Sequence, residues 1–353
     1  MKFVYALALT AMLAGGVAGC GGGGDSGVAA PASDARNGSY TVFEPNGTQQ
    51  VLVLDFNAMT YSMTDPAGSV HSGAFSADAA EAGTYVFAST RITGAVNPAR
   101  FRVTTDAVVG GFPFAAAASP GTYSVQPFVA ARAWTATAAE LDGSYNRFSV
   151  YPTSPIGPDS TIGTLKIANG GTTMVVCTDN TIFAIDLCPS TSLITYTVAK
   201  GPAPGQWLGT NVANPDPEQG ATFYMARIGG QNVYLRASYS GTTATRFLRI
   251  ALPDTAAWAS VTAPSISTTS TWGKTTVTDS TYSRTRTNPD GTASTVNYQT
   301  TPNVGAKGPL GIRGVNTVGP DFYFAMQSSK LLAVVGARSN PNTVGNLSLA
   351  LID

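Results

Sequence analysis

The sequence is poor in charged side chains. Lysine, arginine, aspartate and glutamate make up 11% of the 353 residues, and the 20 basic groups cancel the 20 acidic ones. An average globular protein carries about 25% charged residues. A chain without excess positive charge cannot neutralise a phosphate backbone, so the composition argues against nucleic acid as a partner. The hydrophobic content of 43% is nevertheless enough for a sizeable core and excludes wholesale disorder.

The residue types that most often carry out catalysis or bind metals are also scarce. The chain has one histidine, His71, and four glutamates. One histidine cannot supply a multi-histidine metal site, and no GxSxG, P-loop or dinucleotide-binding pattern occurs. We therefore predict no metal site, no cofactor and no catalytic residue, with His71 as an ordinary strand residue. Carboxylate pairs remain available for hydrolysis without histidine.

The amino terminus has the pattern of an export signal. Lys2 precedes an apolar stretch, residues 3–13, which is too short to span a bilayer as a helix. Small residues follow, as they do in cleaved secretory signals. The last four residues of this amino-terminal segment are Val17-Ala18-Gly19-Cys20, a sequence that resembles the lipobox of bacterial lipoproteins. The resemblance covers only these 20 residues and implies a signal peptide at 1–19, with cleavage just before Cys20.

In the lipoprotein family, the cysteine that follows the cleavage site is lipidated. The resemblance therefore implies that Cys20 carries the lipid anchor, and two or three acyl chains hold a protein stably on a membrane. Gly21 stands where an inner-membrane retention signal has aspartate, so the family pattern favours the outer membrane of the bacterial cell envelope. Residues 20–36 are rich in glycine, lack a periodic apolar pattern, and predict a flexible tether.

Two cysteines remain after the anchor, Cys177 and Cys188. They lie in β-rich runs joined by Thr178-Asp179-Asn180, so that they could face each other across a hairpin. Because an exported protein lies in an oxidising compartment, we predict a disulfide between them. A redox pair and a metal site are the alternatives, but there is no CxxC spacing and the single histidine is distant in sequence.

Strand signals repeat along the rest of the chain. Short runs such as 49–56, 163–169 and 246–252 alternate β-branched or aromatic residues with small or polar ones, and glycine, proline, asparagine or aspartate follow. Similar hairpins recur in the same order, and the Ser/Thr-rich segment 260–271 has the composition of a linker. The recurrence predicts three modules, at 37–135, 141–258 and 271–353, the second of them containing the disulfide.

The predicted fold class is all-β. Each module contains seven or eight strands in an antiparallel meander, which is similar to the small calycin-type barrels or to a curved sheet. Closure into barrels would remove exposed sheet edges. The alternative is a single six-bladed propeller in which each module supplies two four-stranded blades.

Trp207 is the best candidate for a ligand contact. It lies in the Gly/Pro-rich segment 201–209, which predicts an exposed loop, and an exposed aromatic ring can stack on a glycan. The leading hypothesis is a lipid-anchored envelope protein with a non-catalytic binding, adhesion or structural role, and with an envelope protein or glycan as partner. One alternative is an envelope hydrolase that uses an Asp/Glu pair. The other is a barrel that carries a small apolar ligand, which would show an apolar cavity of a few hundred Å³.

Overall fold

Strands account for nearly all of the regular structure. The computed structural model describes residues 33–92, 96, 98–115, 121–179, 181–214, 221–240, 243–302, 307–316 and 321–353. Within these residues, 24 strands form three closed barrels, each an eight-stranded antiparallel meander. The predicted tandem meander barrels are therefore confirmed, and the six-bladed propeller is wrong. The lipobox-like sequence Val17–Cys20 and the rest of the predicted signal peptide lie outside the described residues.

Barrel 1 comes first in the chain. Its strands are β1 (Gly38–Phe43), β2 (Gln49–Asp55), β3 (Thr60–Thr64), β4 (Val70–Ala77), β5 (Thr84–Phe87), β6 (Arg100–Val103), β7 (Ala107–Ala115) and β8 (Tyr123–Ala131). The barrel closes where β1 pairs with β8, with Val42 opposite Ala130. Its interior is dense in aromatic side chains, which favour strands because they pack well on a pleated surface.

Barrel 2 follows a short 3₁₀ helix, Ala138–Leu141. Its strands are β9 (Gly143–Thr153), β10 (Asp159–Ala168), β11 (Thr173–Cys177), β12 (Leu193–Lys200), β13 (Gln206–Asn211), β14 (Ala221–Ile228), β15 (Gln231–Ser240) and β16 (Thr245–Pro253). The barrel closes where β16 pairs with β9, with Ile250 opposite Phe148.

Barrel 3 completes the chain. Its strands are β17 (Val261–Ser267), β18 (Trp272–Val277), β19 (Thr281–Thr287), β20 (Ala293–Pro302), β21 (Ile312–Asn316), β22 (Phe322–Gln327), β23 (Leu331–Gly336) and β24 (Leu347–Leu351). The predicted linker at 260–271 is wrong, because most of it is β17 and the third module starts ten residues earlier. Its hydroxyl groups are paired inside the fold: Ser265 Oγ lies 2.7 Å from Thr275 Oγ1.

The outer faces of the three barrels pack against one another. Residues 34–353 form one compact unit, and a single apolar cluster draws on all three barrels, with Phe43, Leu248 and Leu349 among its members. Burial of this surface, at about 25 cal/mol per Å², stabilises the assembly. Because successive side chains of a strand alternate between its two faces, residues that alternate with this cluster point into the barrels.

Candidate functional site

The wall of barrel 2 has a gap beside the first half of β10. β10 pairs with β9 from Asp159 to Ile167, whereas β11 pairs only with Leu165–Ala168. The chain leaves β11 and runs through a connecting segment, residues 178–192, before β12 begins. This segment covers the gap in part, since Thr164 Oγ1 donates a 2.8 Å hydrogen bond to the carbonyl oxygen of Phe183.

A cavity of about 560 Å³ lies at this gap. Pockets that bind small molecules have volumes of roughly 300–1,000 Å³, so the cavity has the size of a ligand site. Barrel 2 and barrel 3 both contribute to its lining, which includes Arg147, Thr161, Ile162, Ile182, Phe324 and Arg338. The cavity therefore offers apolar contacts and positively charged groups together.

Three arginines point into barrel 2 from three neighbouring strands. Arg236 on β15 lies directly opposite Arg249 on β16. Arg249 in turn lies opposite Ser149 on β9, two positions from Arg147. Apolar neighbours of these four residues, among them Phe148, Leu235 and Leu248, belong to the cluster between the barrels, so the guanidinium groups face the interior. None of the three is fully shielded, which is the result expected for side chains that border an internal space.

The charges of these arginines act mainly on one another and on tyrosines. Burial, and then the charge of Arg249, lower the pKa of Arg147 to about 10. Burial also opposes the charge on Arg249, but Tyr151 and Tyr234 outweigh it and raise the pKa of Arg249 overall. Arg249 Nη2 donates a 3.0 Å hydrogen bond to the Tyr151 hydroxyl. Among the described residues, neither Arg147 nor Arg249 forms an ion pair with a carboxylate.

Several donors inside barrel 2 are buried without a hydrogen-bond partner in the described part of the chain. They are Arg147 Nε, Ser149 Oγ, Trp207 Nε1 and Arg249 Nε. The arginine and tryptophan nitrogens can only donate, and the serine hydroxyl can do so as well. Each unpaired buried donor costs about 1–3 kcal/mol. Three of these four unpaired groups can therefore be satisfied only by an acceptor.

Gly163 leaves room for the head of Arg147. It lies directly opposite Arg147, on β10. A Cβ atom at this position would come within 3.1 Å of Arg147 Nη2 and 3.3 Å of the Cys177 carbonyl oxygen. Such contacts are tight in a close-packed interior, so the missing side chain allows the guanidinium to extend to the gap.

Trp207 does not lie in an exposed loop. It belongs to β13, is only 2% exposed, and packs inside barrel 2 with Phe223, which is its cross-strand neighbour on β14. The prediction of an exposed stacking platform is therefore wrong. The Gly/Pro-rich sequence before Trp207 indicated a loop, but that loop ends at Gln206. The ring instead presents its unpaired Nε1 atom to the barrel interior.

The predicted disulfide between Cys177 and Cys188 is present, with a Cα–Cα distance of 6.0 Å. Cys188 does not lie on a facing strand as the hairpin model predicted. It lies in the connecting segment between two short 3₁₀ helices, Ile185–Leu187 and Ser190–Ser192. The bond therefore ties the connecting segment to the end of β11, and Cys177 itself lines the cavity.

Barrel 3 has a smaller internal space, of about 80 Å³. Tyr282 stacks on Tyr298 at 5.7 Å between ring centroids, and Tyr298 on Tyr323 at 6.1 Å. Arg284 also points inward, but its Nη1 donates to Ser348 Oγ at 3.1 Å and its Nη2 to Thr271. This barrel therefore pairs more of its internal charge within the chain.

Barrel 1 is filled by aromatic rings, and His71 lies at the edge of this packing, on β4 as predicted. Its Nε2 atom lies 2.9 Å from Ser89 Oγ and 3.2 Å from the Tyr61 hydroxyl, and its ring contacts Phe112 edge-on. Burial lowers the pKa of His71 and favours the neutral ring. These contacts account for His71 as a hydrogen-bonded structural residue.

The carboxylates near the cavity are engaged in local contacts. Asp179 lines the cavity and accepts hydrogen bonds from the Thr181 amide and the Ser192 hydroxyl. Asp159 lies 3.3 Å from Arg338 in an ion pair. In the part of the chain that the structure describes, no three His, Cys, Asp or Glu side chains are grouped to hold a metal ion. Over the same residues, no helix has the length and apolar character needed to cross a membrane.

No family model and no curated protein matches this sequence. Among solved structures, a protein of unknown function from the DUF3598 family of Nostoc punctiforme is similar over 90% of this chain and 93% of that one, with 13% identity and a TM-score of 0.19. A DnaN sliding clamp from Pseudomonas aeruginosa, bound to griselimycin, is similar over 90% and 91%, with 8% identity and a TM-score of 0.14.

Proposed function

We propose that this protein is a lipid-anchored binding protein of the bacterial cell envelope, and that barrel 2 holds a small ligand. The cavity of about 560 Å³ at the wall gap is the observation that supports ligand binding. Barrel 1 packs aromatic rings in its interior, and the space inside barrel 3 is about 80 Å³. A second cavity, of about 430 Å³, lies at the turns of barrel 3 and is lined by polar residues such as Thr269, Arg286 and Asn288. The anchor and the envelope location are supported by the lipobox-like sequence that ends in Cys20.

Ligand retention tests the role of the cavity. Thr161 lines the cavity from β10, and Thr161→Trp would fill part of it. We expect the full-length protein, purified from envelope extract under native conditions, to release a small organic molecule on denaturation. Thr161→Trp should release much less, whereas Thr285→Trp, on the exposed surface of barrel 3, should match the wild type. Equal release from all three proteins, or none from the wild type, would contradict the proposal.

Fractionation tests the anchor separately. Cys20→Ser should move the protein from the membrane fraction to the soluble fraction, because the lipid is attached through the thiol. Cys177→Ser is the matched control and should leave the protein with the membranes, since Cys177 pairs with Cys188. If Cys20→Ser stays in the membrane fraction, the lipoprotein assignment is wrong.

A further inference from the structure

We infer that the ligand of barrel 2 is a small amphipathic anion, whose carboxylate or phosphate group is bound by Arg147 where it lines the cavity, with Arg249 adding positive charge from the neighbouring strand. This inference rests on the proposed function and names the chemical class of the ligand. Positive charge is concentrated inside barrel 2, and the described residues supply no carboxylate partner to two of its arginines.

The charge balance of the interior requires an acceptor. An arginine taken out of water is costly unless a counter-charge and hydrogen bonds replace its hydration. The described residues supply no carboxylate partner to Arg147 or Arg249. Their Nε atoms and Ser149 Oγ are buried without partners. Arg147 is the member of this group that lines the cavity, so an oxyanion bound there would supply the counter-charge that Arg147 lacks.

The strand register brings these donors together. Arg249 and Ser149 face each other across β16 and β9, and directly opposed residues have Cβ atoms about 5 Å apart. Arg147 lies two positions along β9, on the same face of the sheet. The guanidinium fork matches the geometry of carboxylate and phosphate oxygens, which makes arginine suited to such groups.

The apolar side chains that line the cavity indicate that the ligand also has an apolar part. Ile162 and Ile182 border the cavity from barrel 2, and Phe324 borders it from barrel 3. These side chains lie at the wall gap, whereas Arg249 and Ser149 lie on the inward faces of their strands. A ligand with an anionic head directed into the barrel and an apolar tail at the gap satisfies both regions.

Barrel 3 provides an internal comparison. Arg284 is only 5% exposed, and although its Nε atom is unpaired, its Nη atoms donate to Ser348 and Thr271. The chain therefore supplies much of the hydrogen bonding that this guanidinium needs. Arg284 thus serves as a control for the effect of removing an internal arginine that lies outside the proposed site.

Calorimetric titration of the full-length protein with four ten-carbon probes tests the inference. The probes are decanoate, decyl phosphate, decanol and decylammonium, which share a tail and differ in the head. We expect at least one anion to bind about 10-fold or more tightly than decanol, because a charge-assisted hydrogen bond contributes about 1.5–3 kcal/mol. Decylammonium should bind most weakly, and the ratio of the two anions distinguishes a carboxylate ligand from a phosphate ligand.

Substitutions assign the binding to the named residues. Arg147→Met should weaken anion binding about 10- to 100-fold, and Arg249→Met, which removes a charge behind the cavity wall, should weaken it less; neither should have much effect on decanol. Arg147→Lys should restore part of the affinity because it keeps the charge. Arg284→Met should leave anion binding unchanged. Circular dichroism and thermal melting verify that each variant is folded, so that a loss of binding is not a loss of structure.

The outcomes separate this inference from the proposed function. If decanol binds as tightly as the anions, or if the ligand retained by the wild type and lost from Thr161→Trp is neutral, the anion inference is wrong and the binding function stands. If no probe binds and no molecule is retained, both are wrong.

Discussion

Barrels 1 and 2 share one topology, but the interior of barrel 1 is aromatic whereas that of barrel 2 contains charged side chains. Seven phenylalanines belong to the interior cluster of barrel 1, and Phe87 and Phe101 stack at 4.3 Å between ring centroids. Barrel 2 places Arg147, Arg236 and Arg249 on its inward faces. The outward faces of both barrels contribute to the same apolar cluster. The eight-stranded meander can therefore enclose either aromatic rings or arginines, depending on the residues that point inward.

The difference also separates stability from binding. A filled aromatic interior gains free energy from every buried ring. An interior with unpaired donors gives up some of this stability, as functional sites commonly do. Barrel 1 should thus contribute most of the free energy of unfolding of the chain, and barrel 2 should provide its ligand binding. Four predictions test this division, beginning with the largest effect.

The first prediction concerns a ring at the centre of barrel 1. Phe87 is fully buried and lies 4.8 Å from Tyr61 and 5.2 Å from Phe112 between ring centroids. Phe87→Ala should lower the free energy of unfolding by about 3–5 kcal/mol, because the tight packing cannot collapse around the cavity. Tyr196→Ala, a half-buried ring packed against the barrel 2 core, should cost less. Urea denaturation measures both, and a larger loss for Tyr196→Ala would reverse the proposed division.

The second prediction concerns the cross-link that only barrel 2 carries. Replacing both Cys177 and Cys188 with alanine should cost about 3 kcal/mol in the chain-entropy model for a loop of this length. Reduction of the wild type should produce a similar loss and expose two reactive thiols, whereas the double variant should not respond. Thiols that react before reduction would show that the bond is not formed.

The third prediction concerns the junction between the two barrels. Glu44 is fully buried after β1, where its carboxylate accepts hydrogen bonds from the Asn46 amide and from Thr48. Arg246 of barrel 2 donates to the Asn46 carbonyl oxygen at 3.0 Å. Burial raises the pKa of Glu44 to about 7, although these hydrogen bonds oppose the shift.

The sign of the resulting pH dependence follows from proton binding. Between about pH 4.5 and 7 the folded chain keeps the Glu44 proton while the unfolded chain releases it, so stability falls as pH rises. The fall is on the order of 3 kcal/mol at 1.36 kcal/mol per pKa unit. Glu44→Gln should flatten this part of the profile, and Glu140→Gln, at an exposed position, should not. Urea denaturation at several pH values measures the slope, and an unchanged slope in Glu44→Gln would assign it to other groups.

The fourth and smallest effect is a gain. Arg147→Met removes an unpaired buried charge from barrel 2 and should raise the stability of the ligand-free protein by about 1 kcal/mol. The same change in barrel 3, Arg284→Met, should be destabilising because it leaves Ser348 and Thr271 without their hydrogen-bond donor. A marked destabilisation by Arg147→Met in thermal melting would instead give Arg147 a structural role.

The alternation of residue types and the recurrence of similar hairpins predicted three β modules, and the export signal with two remaining cysteines predicted the pairing of Cys177 with Cys188. Alternation could not place the arginines, because it does not tell which face of a strand points inward. In 246–252 the leucine and isoleucine residues indicate the face that packs on an apolar core. That core lies between the barrels, so Arg249, on the other face of the strand, points into barrel 2. A sequence signal was present in two strands, where Arg236 and Arg249 each lie between apolar neighbours.

Two further misreadings have a related cause. The segment 260–271 is rich in serine, threonine and proline, but its small side chains fit inside a narrow barrel and hydrogen-bond there. The residues before Trp207 indicated a loop, and the ring itself is covered only because β14 returns beside it. In both cases the burial depends on contacts distant in sequence, which local composition does not contain.

The shared apolar cluster has a consequence for synthesis. The chain is made from its amino terminus, so β1–β8 can form a barrel before barrel 3 has been translated. Until β24 arrives, residues such as Phe43 and Val109 lack part of the apolar surface that covers them in the complete protein. A chain that ends after the first module would therefore expose part of this apolar face to water.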